Sequence, residues 1–319
     1  MNILSLFDGI SCGRVALDRA GIPVNTYYAS EIDKYAIQIS KKNHPDIIRL
    51  GDVNNWENWD IDWSSIDLIL AGSPCQGFSF AGKQLAFDDK RSALFFRFAE
   101  ILAHVQSINP DVKFLLENVR MKLDYQNVIT SVVGVEPILI DSALVSAQRR
   151  KRLYWCNWDV EQPNDRGVLL QDILQTEVYS SIFQIPRGKN KGGIHENKRP
   201  ALTCNSWEQN NLVCSQGWVN WWNKNKDYQI AKKYSCLCNE SPKSITMTAR
   251  QYANWNGNFY QLGENVFRKL TPIECERLQT LPDNYTEGVS NTQRYKCLGN
   301  GWTVDVIEHI LKAMKTKGY

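Results

Sequence analysis

Cys75 follows Pro74 in the stretch GSPCQGFSFAGK (Gly72–Lys83), directly after the apolar run IDLILA. Proline has no N–H to donate and fixes its own φ, so the thiol is presented at the mouth of a strand. A free thiol with a pKa of roughly 8.5 is mostly protonated at neutral pH, and a nucleophilic role needs a cation or helix N-terminus beside it. Two other segments supply charge. VKFLLENVR brings Glu117 to the end of an apolar run, followed by Asn118, and SAQRRKRLYW brings Arg149, Arg150, Lys151 and Arg152 to the start of another. In extended chain, Arg150 and Arg152 share one face. Each feature alone has a plain explanation: an inert packed cysteine, a surface carboxylate, a solvated basic turn. Together they suit addition to an electron-poor ring. The thiol adds to a ring carbon, the acid holds a ring nitrogen, and the arginines hold an oxygen and favour the thiolate. The neighbouring ring carbon then becomes enamine-like and can take up an electrophilic methyl group.

A second set of residues suits a nucleoside. LFDGISCGRVAL (Leu6–Leu17) reads as strand, glycine turn and helix, with Gly9 and Gly13 allowing close backbone approach. It is not G-x-G-x-x-G, and an ordinary strand–helix turn stays open. Glu31 in ASEIDKYA follows the next strand. A carboxylate there can accept from both hydroxyls of a ribose, or simply favour a helix N-terminus. Asp52 in LGDVNNW follows a third apolar segment and could accept from an adenine amino group. Three such loops would line one crevice, as an adenosine-type ligand requires.

The elements needed to position these residues are legible. Strand patterns at Asn2–Phe7, Val24–Ser30, IDLILA, Val112–Glu117, Glu136–Asp141 and Arg152–Trp158 alternate with helical patterns after Gly13, from Asp33 and over Ser92–Ile108. This alternation predicts an α/β fold, a mostly parallel sheet with helices on both faces. Periodicity then fails from Thr176 to Phe267, a stretch rich in Asn, Lys, Gly and Ser. It holds Trp207, Trp218, Trp221, Trp222 and Trp255, too aromatic for a linker, and reads as a second, smaller, irregular domain. A helical pattern returns from Arg268, and Thr303–Lys315 forms an amphipathic last helix. The expected division is 1–175, 176–267 and 268–319.

Lys and Arg total 37 against 34 Asp and Glu, a net charge of +3. Net charge therefore announces no nucleic acid, and such a partner would need a local basic surface. No apolar run approaches the roughly 18 residues of a membrane span. MNILSLFDGIS lacks the basic start of a signal peptide. Nine cysteines without such a signal favour reduced thiols and a cytoplasmic setting. With four scattered histidines and only C-x-C at Cys236 and Cys238, no metal site is expected.

The segments FDGISCG, SEID, GDV, GSPCQGFS, ENV, QRRKRLY, RKLTPIECERLQTLPDNY and LGNGWTVDVIEHI occur in that order. Their series resembles the DNA (cytosine-5)-methyltransferases over nearly the whole chain except the irregular region. QRRKRLY is similar to that family's Q-x-R-x-R pattern at Gln148, Arg150 and Arg152. FDGISCG, the segment from Glu136 to Trp158, and GNGWTV look closest to the animal de novo enzymes. PCQGFSFAGKQ looks more like bacterial and phage members, and such an origin is expected.

The resemblance implies a Rossmann-like class I methyltransferase fold and a target-recognition domain. It implies S-adenosylmethionine as methyl donor, S-adenosylhomocysteine as product, and no metal. Double-stranded DNA would be the partner, with a flipped cytosine as substrate and a monomer as the acting form. Cys75 would attack cytosine carbon 6, Glu117 would bind N3 and the exocyclic amino group, and Arg152 with Arg150 would orient the base. Phe7, Asp8, Gly9, Ser11, Glu31, Ile32, Asp52, Val53, Leu94, Asn300 and Trp302 would line the cofactor pocket. Gln76 to Arg91 would be a loop hinged at Gly77 and Gly82, with Lys83, Lys90 and Arg91 meeting phosphates. Two alternatives are the same chemistry on tRNA and a non-catalytic DNA-binding relative.

Overall fold

The computed structural model describes residues 1–73, 93–173, 175, 181–184, 191–195, 198–200, 212–214, 267–269 and 271–315. Strands β1 (Asn2–Leu6), β2 (Thr26–Ser30), β3 (Ile48–Gly51), β4 (Leu68–Gly72), β5 (Lys113–Val119), β6 (Ile138–Asp141) and β8 (Lys151–Cys156) form one sheet, ordered β3-β2-β1-β4-β5-β8-β6. The two-residue strand β7 (Gln148–Arg149) lies outside it. Strand β8 alone runs against the others. The central strands are largely apolar because helices cover both faces: NILSL is buried from its second residue on, and LILAG through its first four.

Helices α1 (Cys12–Ala20) and α2 (Lys34–Asn43) lie on one face with the C-terminal helix α8 (Val304–Lys315), which packs on α1. Ala16, Leu17, Ile39, Leu70, Ile307 and Leu311 meet in that core. Helices α3 (Ala93–Ile108) and α4 (Leu123–Val133) cover the other face, where Leu4, Ile69, Phe98, Leu102, Ile129 and Trp155 meet. Local chemistry sets the helix ends. Asp33 caps α2 by accepting from the amides of Tyr35 and Ala36. Gly21 ends α1 at φ 63°. Helix α6 (Pro272–Leu278) starts with a Thr271/Glu274 capping box and Pro272 in its first turn. Helices α5 (Leu170–Ile173) and α7 (Asn291–Asn300) complete the α-helices among the described residues.

Sheet register puts the functional loops in a row. Leu6 pairs with Ser30 and Ala71, Ser30 with Gly51, and Gly72 with Glu117. The loops holding Asp52, Glu31, Phe7–Ser11 and Ser73, and the end of β5 carrying Glu117 and Asn118, therefore all lie at one edge, the carboxyl ends of the parallel strands.

The expected irregular region contains regular strands among its described residues. β9 (Ser181–Gln184), β10 (Gly193–His195), β12 (Leu212–Cys214) and β13 (Phe267–Lys269) form an antiparallel sheet ordered β10-β9-β12-β13. Arg268 and Lys269 pair there with Val213 and Leu212, at the start of the segment expected to rejoin the large sheet. Strand β11 (Arg199–Pro200) pairs with Gln148 and Arg149 of β7. Lys198 donates to the carbonyls of Ala143, Ser146 and Val168, fastening this region to the large one. Among the described residues, no helix is long and apolar enough to cross a membrane.

Candidate active site

Glu117 lies in the buried run of β5, one residue before its end, and faces the α1 side of the sheet, as Leu115 does two residues earlier. It is 8% exposed. Arg152 lies diagonally across the β5–β8 pair, since Glu117 aligns with Tyr154. Its Nε is 3.0 Å from Glu117 Oε1, and the Trp302 indole N–H donates to Oε2 at 3.2 Å. An ionised carboxylate has about four acceptor sites, so this pair of donors fixes Glu117 while leaving capacity for a ligand. Burial and the charge of Glu117 push the Tyr154 phenol up, which keeps it neutral.

Arg150 does something different. Its guanidinium is buried and donates to the carbonyls of Gly299 (3.3 Å) and Gly301 (3.0 Å). It belongs to a buried polar network. Gln148 donates to Leu278 O and Gln279 Oε1, Gln279 donates to Leu298 O, and Thr303 donates to Gln279 and accepts from Ser142. This network holds the segment carrying Asn300 and Trp302 against the large sheet. Asn300 is exposed and Trp302 half-buried.

The nucleoside-type residues lie where the register puts them. Phe7, Gly9 and Ser11 have φ of 57°, 59° and 62°, a tight turn in which a Cβ on Gly9 would meet open space. Glu31 braces it: Oε2 accepts from Gly9 N, and Oε1 from Ile32 N and Asp33 N, all at 2.8 Å. That leaves the carboxylate about one acceptor site, enough for one ribose hydroxyl unless a backbone bond is given up. Ile32 beside it is 72% exposed, a large apolar side chain left in water. Asp52 uses Oδ1 for the amide N–H and side-chain NH₂ of Asn54, and Oδ2 has no partner among the described residues. The exposed apolar lip, fixed carboxylate and open acceptor together fit an adenosine.

Other expected pocket residues turn inward. Asp8 accepts from Ser5 Oγ (2.6 Å), Ser11 Oγ (2.5 Å) and Tyr27 OH (2.8 Å), and burial raises its pKa despite these bonds. It holds the turn from within. The Val53 side chain is buried in the α3-side core, leaving only its backbone for a ligand. Phe7 and Leu94 pack against the same core, each partly buried. Cys75, Pro74 and the expected loop Gln76–Arg91 lie outside the described residues, as do the five tryptophans of the irregular region. Three described thiols are poor nucleophiles: burial pushes Cys12 and Cys297 up to about 12 and Cys156 up to about 11.

The sequence model of the family described as C-5 cytosine-specific DNA methylase matches residues 1–316. The chain belongs to this family. It is an enzyme, a DNA (cytosine-5-)-methyltransferase. It is 30% identical to the type II methyltransferase M.NlaX of Neisseria lactamica, over 98% of this chain and 96% of that protein. The orphan methyltransferase M.SPRI of Bacillus phage SPR is 26% identical over 98% and 97%. A DNMT2 mutant from Spodoptera frugiperda shares the fold, with a TM-score of 0.63 and 21% identity over 98% and 99% of the two chains.

Two residues of the methylase gain roles that sequence reasoning did not give them. Asn118, singled out only as the neighbour of Glu117, donates from Nδ2 to Ser73 Oγ at 3.0 Å, and both residues are buried. Its signal was a polar side chain at the end of a buried strand. Gly72 clears space for Trp302, since a Cβ there would fall 2.8 Å from the indole nitrogen. No local pattern announces that contact.

Proposed function

We propose that this methylase transfers a methyl group from S-adenosylmethionine to carbon 5 of a cytosine flipped out of duplex DNA, through a transient Cys75 adduct at carbon 6. The observation that carries this reading is the arrangement of Glu117. A nearly buried carboxylate is held by Arg152 and Trp302 at the strand end that neighbours Gly72, three residues before Cys75. Only Pro74 stands between Ser73 and Cys75, which limits their Cα separation to about 7 Å. This short reach supports a reading in which thiol and acid act at one strand mouth.

The chemistry follows from these groups. Cytosine carbons 5 and 6 are inaccessible in stacked duplex, so the base must leave the stack, at a cost of a few kcal/mol offset by pocket contacts. Glu117 shares a proton with N3 and accepts from the 4-amino group, and the proton on N3 draws electrons from carbon 6. Arg152 steadies Glu117 and favours negative charge on the ring as it develops. Addition of the Cys75 thiolate leaves carbon 5 enamine-like. S-Adenosylmethionine, when bound, supplies the electrophilic methyl group. Loss of the carbon-5 proton and expulsion of the thiolate return the aromatic ring. Glu31 would hold the ribose, Ile32 would cover a face of the adenine, and Asp52 Oδ2 would accept from its amino group. The protein would act in the cytoplasm as a monomer. The second domain, with Arg187, Arg199, Arg250 and its lysines near phosphates, would read the target bases in the major groove.

The test is methyl transfer from labelled donor to duplex DNA and to tRNA, with bisulfite sequencing of the duplex product. We expect label in duplex DNA, at cytosine, in one sequence context. Preferential labelling of tRNA would move the substrate to RNA, and no transfer to either would leave a binding protein.

A further inference from the structure

Trp302 is expected to line the cofactor pocket, yet its one polar side-chain atom points elsewhere. The indole N–H is committed to Glu117 Oε2 at 3.2 Å. Two glycines clear the ring's position. A Cβ on Gly72 would stand 2.8 Å from Nε1 and 3.1 Å from Cζ2, and a Cβ on Gly13 would stand 3.4 Å from Cζ3. The indole therefore lies between the mouth of β4 and the first turn of α1. The chain just before it also lies close to that helix: a Cβ on Gly301 would stand 3.4 Å from the sulfur of Cys12, the first residue of α1. Arg150 holds the preceding carbonyl, Gly301 O, at 3.0 Å. Trp302 is thus packed against the helix that follows the glycine turn, and bonded through its side chain to the acid expected to act on cytosine.

We propose that Trp302 is a positioning residue for Glu117, holding one carboxylate oxygen so that the other edge meets the cytosine ring. The proposal rests on the reading of Glu117 as the group that activates cytosine. Arg152 and Trp302 grip different oxygens of the carboxylate, which leaves its rotation no freedom. Loss of the indole donor lets the carboxylate turn toward Arg152 alone. The consequence falls on addition at carbon 6, before any methyl group moves. Trp302 also links this step to α1, so a ligand that shifts the glycine turn acts on Glu117 through one rigid ring.

The experiment separates addition from methylation. In duplex DNA carrying tritium at carbon 5 of the target cytosine, without methyl donor, Cys75 sulfur bonds to carbon 6 and carbon 5 takes a proton from water. Carbon 5 then releases the triton, and the C–S bond breaks to return cytosine and thiolate. Tritium release thus reports addition alone. Trp302→Phe keeps the ring and removes the donor. We expect release to slow by about 10- to 100-fold, the range spanned by a hydrogen bond to a charged group. Binding of S-adenosylmethionine to the DNA-free protein should change less than about 3-fold. Glu117→Gln should slow release at least as much, and adding Trp302→Phe to it should cost little more, since both act through one carboxylate. Gly72→Ala, which pushes on the same indole while leaving its N–H in place, should also slow release.

If Glu117→Gln abolishes release while Trp302→Phe and Gly72→Ala leave it within about twofold, the positioning role is wrong and Trp302 is a pocket wall only. If Glu117→Gln itself leaves release unchanged, the reading of Glu117 fails first.

Discussion

The side-chain amide of Asn118 donates to the hydroxyl of Ser73 at 3.0 Å, joining the residue after the acid to the residue before Pro74. Asn118 also accepts the amide N–H of Val119 at 2.8 Å, which fixes its orientation. Neighbouring strands β4 and β5 thus end in one locked pair, and the geometry between Glu117 and the root of the Pro-Cys segment is set by a buried hydrogen bond.

Asn118→Ala should lower kcat by about 10- to 100-fold, because a misplacement near 1 Å costs on that order. Stability should fall by only about 1–2 kcal/mol, the cost of a buried hydroxyl left unpaired. Ser73→Ala breaks the same bond from the other side. Steady-state kinetics and urea unfolding of both single variants and the double variant should show strong non-additivity in kcat.

The two arginines of the Q-x-R-x-R segment should separate in their effects. Arg150→Met leaves the Gly299 and Gly301 carbonyls without this donor and should destabilise the fold by about 2–4 kcal/mol. Arg152→Ala removes the partner of Glu117 and should cost about 100-fold in kcat with a smaller fall in Tm. Calorimetry and single-turnover methylation of the two variants check the contrast.

Sequence periodicity made β1, β4, β5 and α8 legible. Apolar runs such as NILSL and LILAG mark strands buried on both faces, and VDVIEHILKAMK shows one apolar stripe. The residues expected to line the cofactor pocket stand out in the sequence because they follow strands directly. The alternation of Arg150 and Arg152 did not reveal their different partners. Arg150 lies between β7 and β8 and donates to carbonyls about 150 positions along the chain, a contact that no local pattern encodes. The bond from Trp302 to Glu117 spans a similar separation. In the second region the strands are two to four residues long, too short for alternation to stand out among Asn and Lys.

Glu31→Ala would leave the amides of Gly9, Ile32 and Asp33 without their shared acceptor. S-Adenosylmethionine affinity should weaken by more than about 10-fold, from the lost hydroxyl contact and the loosened turn. Calorimetric titration of the DNA-free protein measures this directly.

His44 should make the ligand-free fold sensitive to mild acid. Burial, with Arg14 and Arg49 nearby, holds its pKa below the ordinary 6.5, and its ring nitrogen lies 3.2 Å from Tyr285 OH. Below pH 6.5 the unfolded chain takes up a proton that the native imidazole resists. This contribution is therefore full above 6.5 and is lost as pH falls toward the lowered native value. Asp33 and Asp46, also lowered, act only at more acidic pH. Urea unfolding between pH 8 and 5.5 should show the decline in the native chain and a flatter profile in His44→Gln.

The proposed mechanism requires a covalent bond between Cys75 and cytosine, and a mechanism-based trap captures that bond. Duplex DNA with 5-fluorocytosine at the target position is incubated with the protein and S-adenosylmethionine. After methyl transfer, carbon 5 bears fluorine where the leaving proton would be, so the thiolate cannot be expelled by proton loss. Mass spectrometry of the digested product should find one peptide carrying a methylated 5-fluorocytosine nucleotide on Cys75, and Cys75→Ser should give none. Methylation of ordinary cytosine by the native chain with no such adduct, or an adduct mapped to another residue, would contradict the account.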